Sequence, residues 1–331
     1  MTKYSPPFTL TSKMLDLTTS FSESLGIWTG SGGAQLTPML RRGNRIKTIQ
    51  ASLEIEQNTL TVEQVTAVIE GKMVLGAPRE IQEVKNAFAV YEQMNRLKST
   101  NEKDLLKAHK LLMAALVDDA GYYRKGSVGV FQQEKLIHMA PPANQLPRLM
   151  RELFAWLSKT DLHPLLVSCL FHYEFEYIHP FSDGNGRMGR LWQTLILSKW
   201  RTELAWLPVE TIVRDRQQEY YAALTNADKQ AEATLFVEFM LEALLDALKQ
   251  ALKNNEGVND GASEGVNVKL DDFDRRILAL CQEQPYITQD ELTTQIGKSL
   301  STIQRRIRKL KQHHLRRKGS DKTGCWEVVG Q

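Results

Sequence analysis

The chain has 331 residues, a formal net charge of +3 and 42% hydrophobic residues, enough apolar content for two or three packed domains. It contains no run of about eighteen apolar residues, so no membrane span and no membrane partner are predicted. Three cysteines without metal-ligand spacing indicate neither a zinc site nor a disulfide framework. The first residues lack a secretion signal, so a soluble, reduced, cytoplasmic protein is expected.

Four regions follow one another along the chain. Prolines and glycines in residues 1–44 predict an irregular amino-terminal arm. Over 45–253, apolar residues recur every three or four positions, which predicts a mostly α-helical domain. Gly, Asn, Asp and Ser dominate 254–269 and indicate a flexible linker. Residues 270–331 predict three helices and a hairpin, a small α+β domain.

The helical domain is expected to begin with a helix at about 45–62. Ser52 and Glu56 lie about one turn apart on it, and Thr61 can cap the following helix toward Gln64. From residue types alone, Glu56 is an ordinary exposed glutamate.

A β-hairpin is predicted where residues 121–142 interrupt the helices. Two β-prone runs are joined by residues 132–134, and the first run includes Val128, Gly129 and Val130. From the residues alone, this hairpin is as consistent with a purely structural role as with a functional one.

The most informative segment is 179–190, with the sequence His-Pro-Phe-Ser-Asp-Gly-Asn-Gly-Arg-Met-Gly-Arg. Gly184 and Gly186 allow a tight turn immediately before an apolar helical pattern, and the start of a helix is a ready phosphate site. Arg187 and Arg190 share one face of that helix, where they can clamp phosphate oxygens together.

Two further residues of this segment supply reactive groups. Asp183 offers a hard oxygen ligand of the kind that Mg²⁺ takes alongside substrate phosphates. His179 titrates near neutral pH and can accept a proton from an attacking hydroxyl. Together with the arginines they predict a site that handles a polyphosphate.

This segment resembles the signature of the Fic family, His-Pro-Phe-x-Asp-Gly-Asn-Gly-Arg-x-x-Arg, at every defining position. The resemblance implies a Fic-type helical bundle with a β-hairpin flap. It also implies transfer of AMP from ATP, with Mg²⁺, to a Ser, Thr or Tyr hydroxyl of a protein target or of the protein itself. The roles implied are a general base at His179, a Mg²⁺ ligand at Asp183, α- and β-phosphate binding at Gly184, Asn185 and Gly186, β-phosphate binding at Arg187 and γ-phosphate binding at Arg190.

Beside that signature, residues 52–57 resemble the inhibitory motif of the family, a Ser or Thr, three residues, Glu, then Gly or Asn. Gln57 stands where glycine is commoner. The resemblance implies that Glu56 pairs with Arg190 and blocks the γ-phosphate site within the same chain. The pairing is physically sound because a carboxylate would take the guanidinium donors that ATP needs.

Three weaker expectations accompany the resemblance. The hairpin at Val128, Gly129 and Val130 would hold a target segment extended beside the site, by strand addition. Tyr220 and Tyr221 would lie near the adenine, although core packing is the commoner role of such a pair. Family members with an amino-terminal inhibitory segment often pair, so a homodimer is expected.

The carboxyl-terminal domain resembles a winged helix-turn-helix. Thr288 and Glu291 predict a capping box on its second helix. Residues 298–322 hold ten basic residues against one acidic residue, which indicates an anionic partner for this end of the chain. Contacts to double-stranded DNA are predicted at Ser301, Gln304, Arg305, Arg308 and Lys309, although such units also dock proteins.

Two hypotheses of different classes follow. The first is an autoinhibited protein adenylyltransferase whose carboxyl-terminal domain localises it or senses a signal. The second is a DNA-binding regulator in which the Fic core senses a nucleotide. A narrower alternative keeps the enzyme and changes its chemistry, to removal of AMP or transfer of another phosphate-linked group.

Overall fold

The computed structural model describes residues 4–30, 37–132, 135–259, 272–298, 300–310, 315–318 and 325–328. The chain divides into two compact units, Met1–Lys253 and Asn254–Gln331. Each unit has its own cluster of buried apolar side chains. Within the ranges described, no helix combines the length and the apolar character needed to cross a membrane.

The first unit is mostly helical, as predicted, with one small antiparallel hairpin. Its helices are α1 Ser12–Gly30, α2 Pro38–Ile55, α3 Val62–Ile69, α4 Pro78–Gln93, α5 Glu102–Leu112, α6 Leu146–Leu157, α7 Pro164–Ile178, α8 Asn185–Trp200, α9 Val209–Asp215, α10 Gln217–Gln230 and α11 Thr234–Asn259.

The prediction of an irregular arm over 1–44 is wrong, because α1 and the start of α2 lie there. Helix α1 buries Met14, Phe21, Leu25 and Trp28 in the core. Their spacings of seven, four and three residues place them on one face of the helix, a pattern that the prolines and glycines on either side obscure.

Helix α2, which carries Ser52 and ends just before Glu56, begins and ends earlier than the predicted 45–62. Helix α2 starts at Pro38, with the Thr37 side chain accepting the N–H of Leu40, and ends at Ile55. Proline is well suited to the first helical position, so this start is favourable. Thr61 and Gln64 form the capping box of α3, which confirms that predicted cap.

Helices α7 and α8 form the centre of the first unit. Most side chains of both helices are buried around the whole circumference. The segment between them is therefore fixed at both ends by packed helices, and it carries the first half of the 179–190 motif.

The predicted hairpin is present. Strand β1, Gly129–Gln132, pairs antiparallel with β2, Lys135–Met139, and the register shifts between Val130 and Phe131. Its side chains at 129–138 lie outside the described part of the structure.

The predicted linker starts too early. Helix α11 continues to Asn259, so residues 254–259 are helical rather than irregular. Asn254, Asn255 and Gly257 are poor helix formers, which is why the sequence suggested a linker, but α11 continues through them. The rest of the predicted linker, 260–269, lies outside the described residues.

The second unit has the three helices and the hairpin that were predicted. Its elements are α12 Asp272–Glu283, α13 Gln289–Ile296, α14 Leu300–Leu310, β3 Leu315–Lys318 and β4 Cys325–Val328, with β3 antiparallel to β4. The predicted capping box of Thr288 and Glu291 is present. Ile303, Ile307, Leu310 and Trp326 are buried in its core.

Candidate active site

The segment between α7 and α8 makes two turns that most residues avoid. His179 ends α7 with φ 48°, and Gly184 precedes α8 with φ 83°, both in the left-handed region. A Cβ at Gly184 would also lie 2.6 Å from the Met113 sulfur, so this turn requires glycine. Helix α8 then starts at Asn185, with the free N–H groups of its first turn available for an anion.

A ring stack and two hydrogen bonds of a side-chain amide hold this segment in place. Phe181 is completely buried and stacks on His109, with ring centroids 3.6 Å apart. The Asn185 side chain accepts the N–H of Phe181 and donates to its carbonyl oxygen, both at 2.9 Å. Because the Asn185 amide is used within the loop, any contribution of Asn185 to phosphate binding would come from its backbone N–H.

Glu56 and Ser52 both contact Arg190. The Arg190 guanidinium is 3% exposed and donates to Glu56 Oε1 at 2.7 Å. It also donates to the Ser52 carbonyl oxygen at 2.9 Å and to Ser52 Oγ at 3.1 Å. Burial by itself would lower the pKa of Arg190, but the Glu56 carboxylate, together with Tyr220 and Glu176, raises it overall.

Two backbone features let Glu56 come so close. A Cβ on Gly186 would collide with the Glu56 carboxylate, so only glycine leaves room for it there. Gln57 adopts φ 69°, the left-handed conformation that glycine takes most easily. The chain therefore makes the turn after Glu56 despite having glutamine at this position.

His179 lies beside a carboxylate. Its Nδ1 is 3.3 Å from the Glu176 carbonyl oxygen and 3.8 Å from the Glu176 carboxylate. Burial would raise the pKa of Glu176, but the neighbouring His172, His179 and Arg190 together lower it, so Glu176 stays ionised. A proton held on Nδ1 by Glu176 leaves Nε2 of His179 as the acceptor.

Asp183 is bonded to two arginines. Its Oδ1 accepts from Arg187 at 2.9 Å and from the Gly184 N–H at 2.6 Å. Its Oδ2 accepts from Arg79 at 2.9 Å. Arg187 also lies 3.3 Å from Glu83, so Arg79, Glu83, Asp183 and Arg187 form a closed set of two cations and two anions.

The oxygens of Asp183 suit a Mg²⁺ ion that takes its other ligands from substrate phosphates and water. In the described part of the chain, no group of three or more His, Cys, Asp and Glu side chains could hold a metal alone. The Asp183 carboxylate could supply one ligand to a metal that arrives with a nucleotide.

These groups surround one open cavity of about 290 Å³. Tyr220 is buried, with its hydroxyl 3.1 Å from His172 Nε2, whereas Tyr221 is half-buried and donates to the Ile55 carbonyl oxygen at 3.4 Å. Among the residues lining the cavity are Glu56, Val128, His179, Asp183, Gly184, Asn185, Gly186, Arg190, Tyr220 and Tyr221. The structure thus brings the residues predicted from the motif together with Glu56, the two tyrosines and the base of the hairpin.

Arg124 is a residue that the sequence interpretation missed. It is buried and donates to the carbonyl oxygens of His179 at 2.7 Å, Gly126 at 2.7 Å and Pro141 at 2.6 Å. It therefore ties both ends of the hairpin segment to the residue expected to act as base. An arginine that follows two tyrosines and precedes Lys125 gives no signal of such a role.

In the second unit, the predicted DNA-contacting residues lie on α14. Gln304 is exposed, whereas the side chains of Ser301, Arg305, Arg308 and Lys309 lie outside the described part. Arg306 of the same helix pairs with the buried Asp274 of α12 at 3.2 Å, so it has a structural role.

Comparison with known proteins gives matches over both units. The model of the Fic/DOC family matches residues 99–197, and that of winged helix-turn-helix DNA-binding domains matches 270–314. The crystal structure of a Fic family protein from Desulfovibrio desulfuricans G20 is 48% identical, with a TM-score of 0.78, and the match covers 99% of each chain.

Curated relatives match part of the chain. "Protein adenylyltransferase Fic" of Nematostella vectensis is 31% identical over 204 residues, 58% of this chain and 45% of the relative. The protein of the same name from Culex quinquefasciatus is 29% identical over 206 residues, 59% of this chain and 39% of the relative. The chain thus spans less than half of the length of these curated relatives.

We expect acid to destabilise the first unit through His109. Burial lowers the pKa of His109 to about 4, from an ordinary value of 6.5. As the pH falls below about 6.5, the unfolded chain takes up this proton first, so the free energy of unfolding decreases down to about pH 4. Urea unfolding at pH 7 and at pH 5 measures this free energy. Its decrease between the two pH values should be larger for the wild type than for His109→Gln. Equal losses would contradict the assignment.

Proposed function

The chain belongs to the Fic family, and we propose that it is a protein adenylyltransferase held inactive by its own Glu56. It would transfer AMP from ATP to a Ser, Thr or Tyr hydroxyl of a protein target, or of itself. The observation that carries the proposal is the 2.7 Å ion pair between Glu56 and the buried Arg190. The names of the curated relatives support the same activity.

The phosphate groups of ATP have matching donors in the cavity. The first turn of α8 offers backbone N–H groups at Asn185 and Gly186, whereas the Gly184 N–H already donates to Asp183, and a helix start carries partial positive charge. Arg187 and Arg190 add two buried cations on the same helix. Mg²⁺ held at Asp183 would neutralise phosphate charge when it is bound with the nucleotide.

The chemistry follows from the position of His179. Its Nε2 would accept the proton of the target hydroxyl while the hydroxyl oxygen forms a bond to the α-phosphorus. The bond from the α-phosphorus to the bridging oxygen breaks, and pyrophosphate leaves. Glu176 beside Nδ1 would stabilise the imidazolium that forms. Such a transfer depends mainly on positioning and on charge neutralisation.

Inhibition follows from competition for the donors of Arg190. Its Nη2 and Nε donate to Glu56 and Ser52, which lie one turn apart at the end of α2. A γ-phosphate would need these same donors, and charge-assisted hydrogen bonds of this kind are strong. Since Glu56 and Arg190 belong to one chain, the block would not depend on protein concentration.

Binding of the target would use the hairpin. Arg124 ties the ends of this segment to His179, so a strand added to the hairpin would hold its hydroxyl at a fixed distance from the base. Main-chain pairing depends little on the side chains of the target, so it does not identify the protein that is modified. A homodimer and a cytoplasmic location also stay predictions.

A second function is supported by the winged helix. Its family model describes DNA-binding domains, and α14 lies within the strongly basic stretch 298–322. We propose that α14 of this unit contacts double-stranded DNA. Such binding would localise the enzyme. In the alternative hypothesis, it would make the protein a DNA-binding regulator whose Fic core senses a nucleotide.

Release of inhibition is the first test. With α-labelled ATP and Mg²⁺, Glu56→Gly should increase protein labelling about 10- to 100-fold, because a hydrogen bond to a charged group contributes about 1.5–3 kcal/mol. Adding His179→Ala should remove the label.

Glu54→Gln is the matched control, since Glu54 lies on the same helix, pairs with Arg214 and is 46% exposed. It should stay as inactive as the wild type. Labelling that is unchanged in Glu56→Gly, or that survives loss of His179, would refute the proposal and favour AMP removal or another donor instead.

DNA binding is tested by its salt dependence. Arg305→Ala/Arg308→Ala should weaken duplex binding and reduce the slope of log K against log salt by about 2, at roughly 0.9 for each phosphate that the protein no longer neutralises. Arg275→Ala/Arg276→Ala, on the exposed face of α12, is the control and should leave the slope unchanged. Wild-type binding that is absent at every salt concentration would exclude this function.

A further inference from the structure

Arg79, in the first turn of α4, places a positive charge on Asp183, the expected metal ligand. We propose that Arg79 is a second blocking residue, which occupies the Asp183 carboxylate while Glu56 occupies Arg190. This inference rests on the proposed function, because it concerns the metal requirement of the same site. As a consequence, Arg79 would compete with Mg²⁺ for the negative charge of Asp183 and weaken metal binding.

Both oxygens of Asp183 already accept hydrogen bonds from a cation. Arg79 Nη2 is 2.9 Å from Oδ2, and Arg187 Nη2 is 2.9 Å from Oδ1. A Mg²⁺ ion bound to Oδ2 would lie within a few ångströms of the Arg79 guanidinium, so the two positive charges repel each other while Arg79 stays in place. Metal binding is therefore favoured when one of the two arginines leaves.

Arg79 is the arginine that can leave. Its side chain is 57% exposed, whereas that of Arg187 is 5% exposed and is also held by Glu83. After leaving Asp183, Arg79 would keep a partner, because its Nε already lies 3.6 Å from the Glu83 carboxylate. Its displacement therefore costs little, as expected for a partly exposed ion pair.

The turn after Glu56 is bonded to the first turn of α4, which carries Arg79. Thr59 donates its N–H and its hydroxyl to the Glu80 carboxylate, at 2.6 and 2.8 Å. Asn58 donates to the Glu80 carbonyl oxygen at 3.2 Å and to the Glu83 carboxylate at 2.8 Å. Glu56 and Arg79 therefore belong to one hydrogen-bonded unit.

This unit presents the charges that a metal–nucleotide complex would bring. A carboxylate lies on the arginine expected to bind the γ-phosphate, and a guanidinium lies on the carboxylate expected to bind the metal. The site is thus neutralised at both positions by residues of the same chain. Each contact should oppose a different component of the incoming complex.

Metal binding to the full-length protein measures this directly. With the protein saturated with ADP, which lacks the γ-phosphate that Glu56 would exclude, free Mn²⁺ is titrated by electron paramagnetic resonance. Arg79→Ala should lower the dissociation constant of Mn²⁺ about two- to fivefold, the range expected for one partly exposed ion pair. Arg79→Lys, which keeps the charge, should give a smaller change.

Arg148→Ala is the matched control. Arg148 is also exposed, at 55%, and also pairs with a glutamate four residues on, but it lies on α6 and does not contact Asp183. It should leave the Mn²⁺ affinity unchanged. Asp183→Asn, as the reference for removal of the ligand, should weaken Mn²⁺ binding strongly.

The outcomes separate this inference from the proposed function. If Asp183→Asn weakens Mn²⁺ binding but Arg79→Ala leaves it unchanged or weakens it, the role of Arg79 is refuted and the enzyme assignment stands. If Asp183→Asn has no effect, Asp183 is not the metal ligand, and both this inference and the Mg²⁺ assignment fall. Tighter Mn²⁺ binding in Arg79→Ala alone supports the inference.

Discussion

A buried guanidinium needs an anion, and Arg190 is the residue around which the first unit is arranged. It projects from α8, a helix buried on nearly all sides, and its side chain is 3% exposed. An unpaired charge at such a depth is costly, so some carboxylate or phosphate has to accompany it. Glu56 fills that role in the structure, and under the proposed function a γ-phosphate would take its place.

Several local features of the chain position Glu56 against Arg190. Gly186 leaves the space that the carboxylate fills, and Gln57 takes a left-handed turn that ends α2 next to it. Gln217 and Tyr221 of α10 donate to the carbonyl oxygen of Ile55, at 2.9 and 3.4 Å, which holds the end of α2 in place. The end of α2, next to Glu56, is therefore held by α10, and one of the two residues that hold it, Tyr221, also lines the cavity.

The part of the site that could be predicted is the part that is local in sequence. The run 179–190 contains its own turn, helix start and charged side chains, so the prediction that it binds phosphate follows from residue types and spacing. The capping boxes at Thr61 and Thr288 were predictable for the same reason. The Glu56–Arg190 contact spans 134 residues, and it was expected only from the family resemblance.

What could not be predicted depends on long-range packing. Arg79 and Asp183 are 104 residues apart, and nothing in the pattern around Arg79 indicates more than an exposed ion pair within α4. Arg124 is a similar case, since its partners are carbonyl oxygens that any sequence possesses. Helix α1 was missed for a different reason, because the prolines and glycines that flank it suggested irregular structure, whereas its buried face decides the outcome.

If Glu56 occupies the γ-phosphate position, its removal should affect the binding of ATP but not that of ADP. Calorimetry would compare both nucleotides in the His179→Ala protein and in Glu56→Gly/His179→Ala, so that no transfer occurs during the titration. We expect removal of Glu56 to tighten ATP binding about tenfold or more, the effect of freeing one charge-assisted hydrogen bond, and to leave ADP binding unchanged. Equal gains for ATP and ADP, or no gain for ATP, would contradict the account.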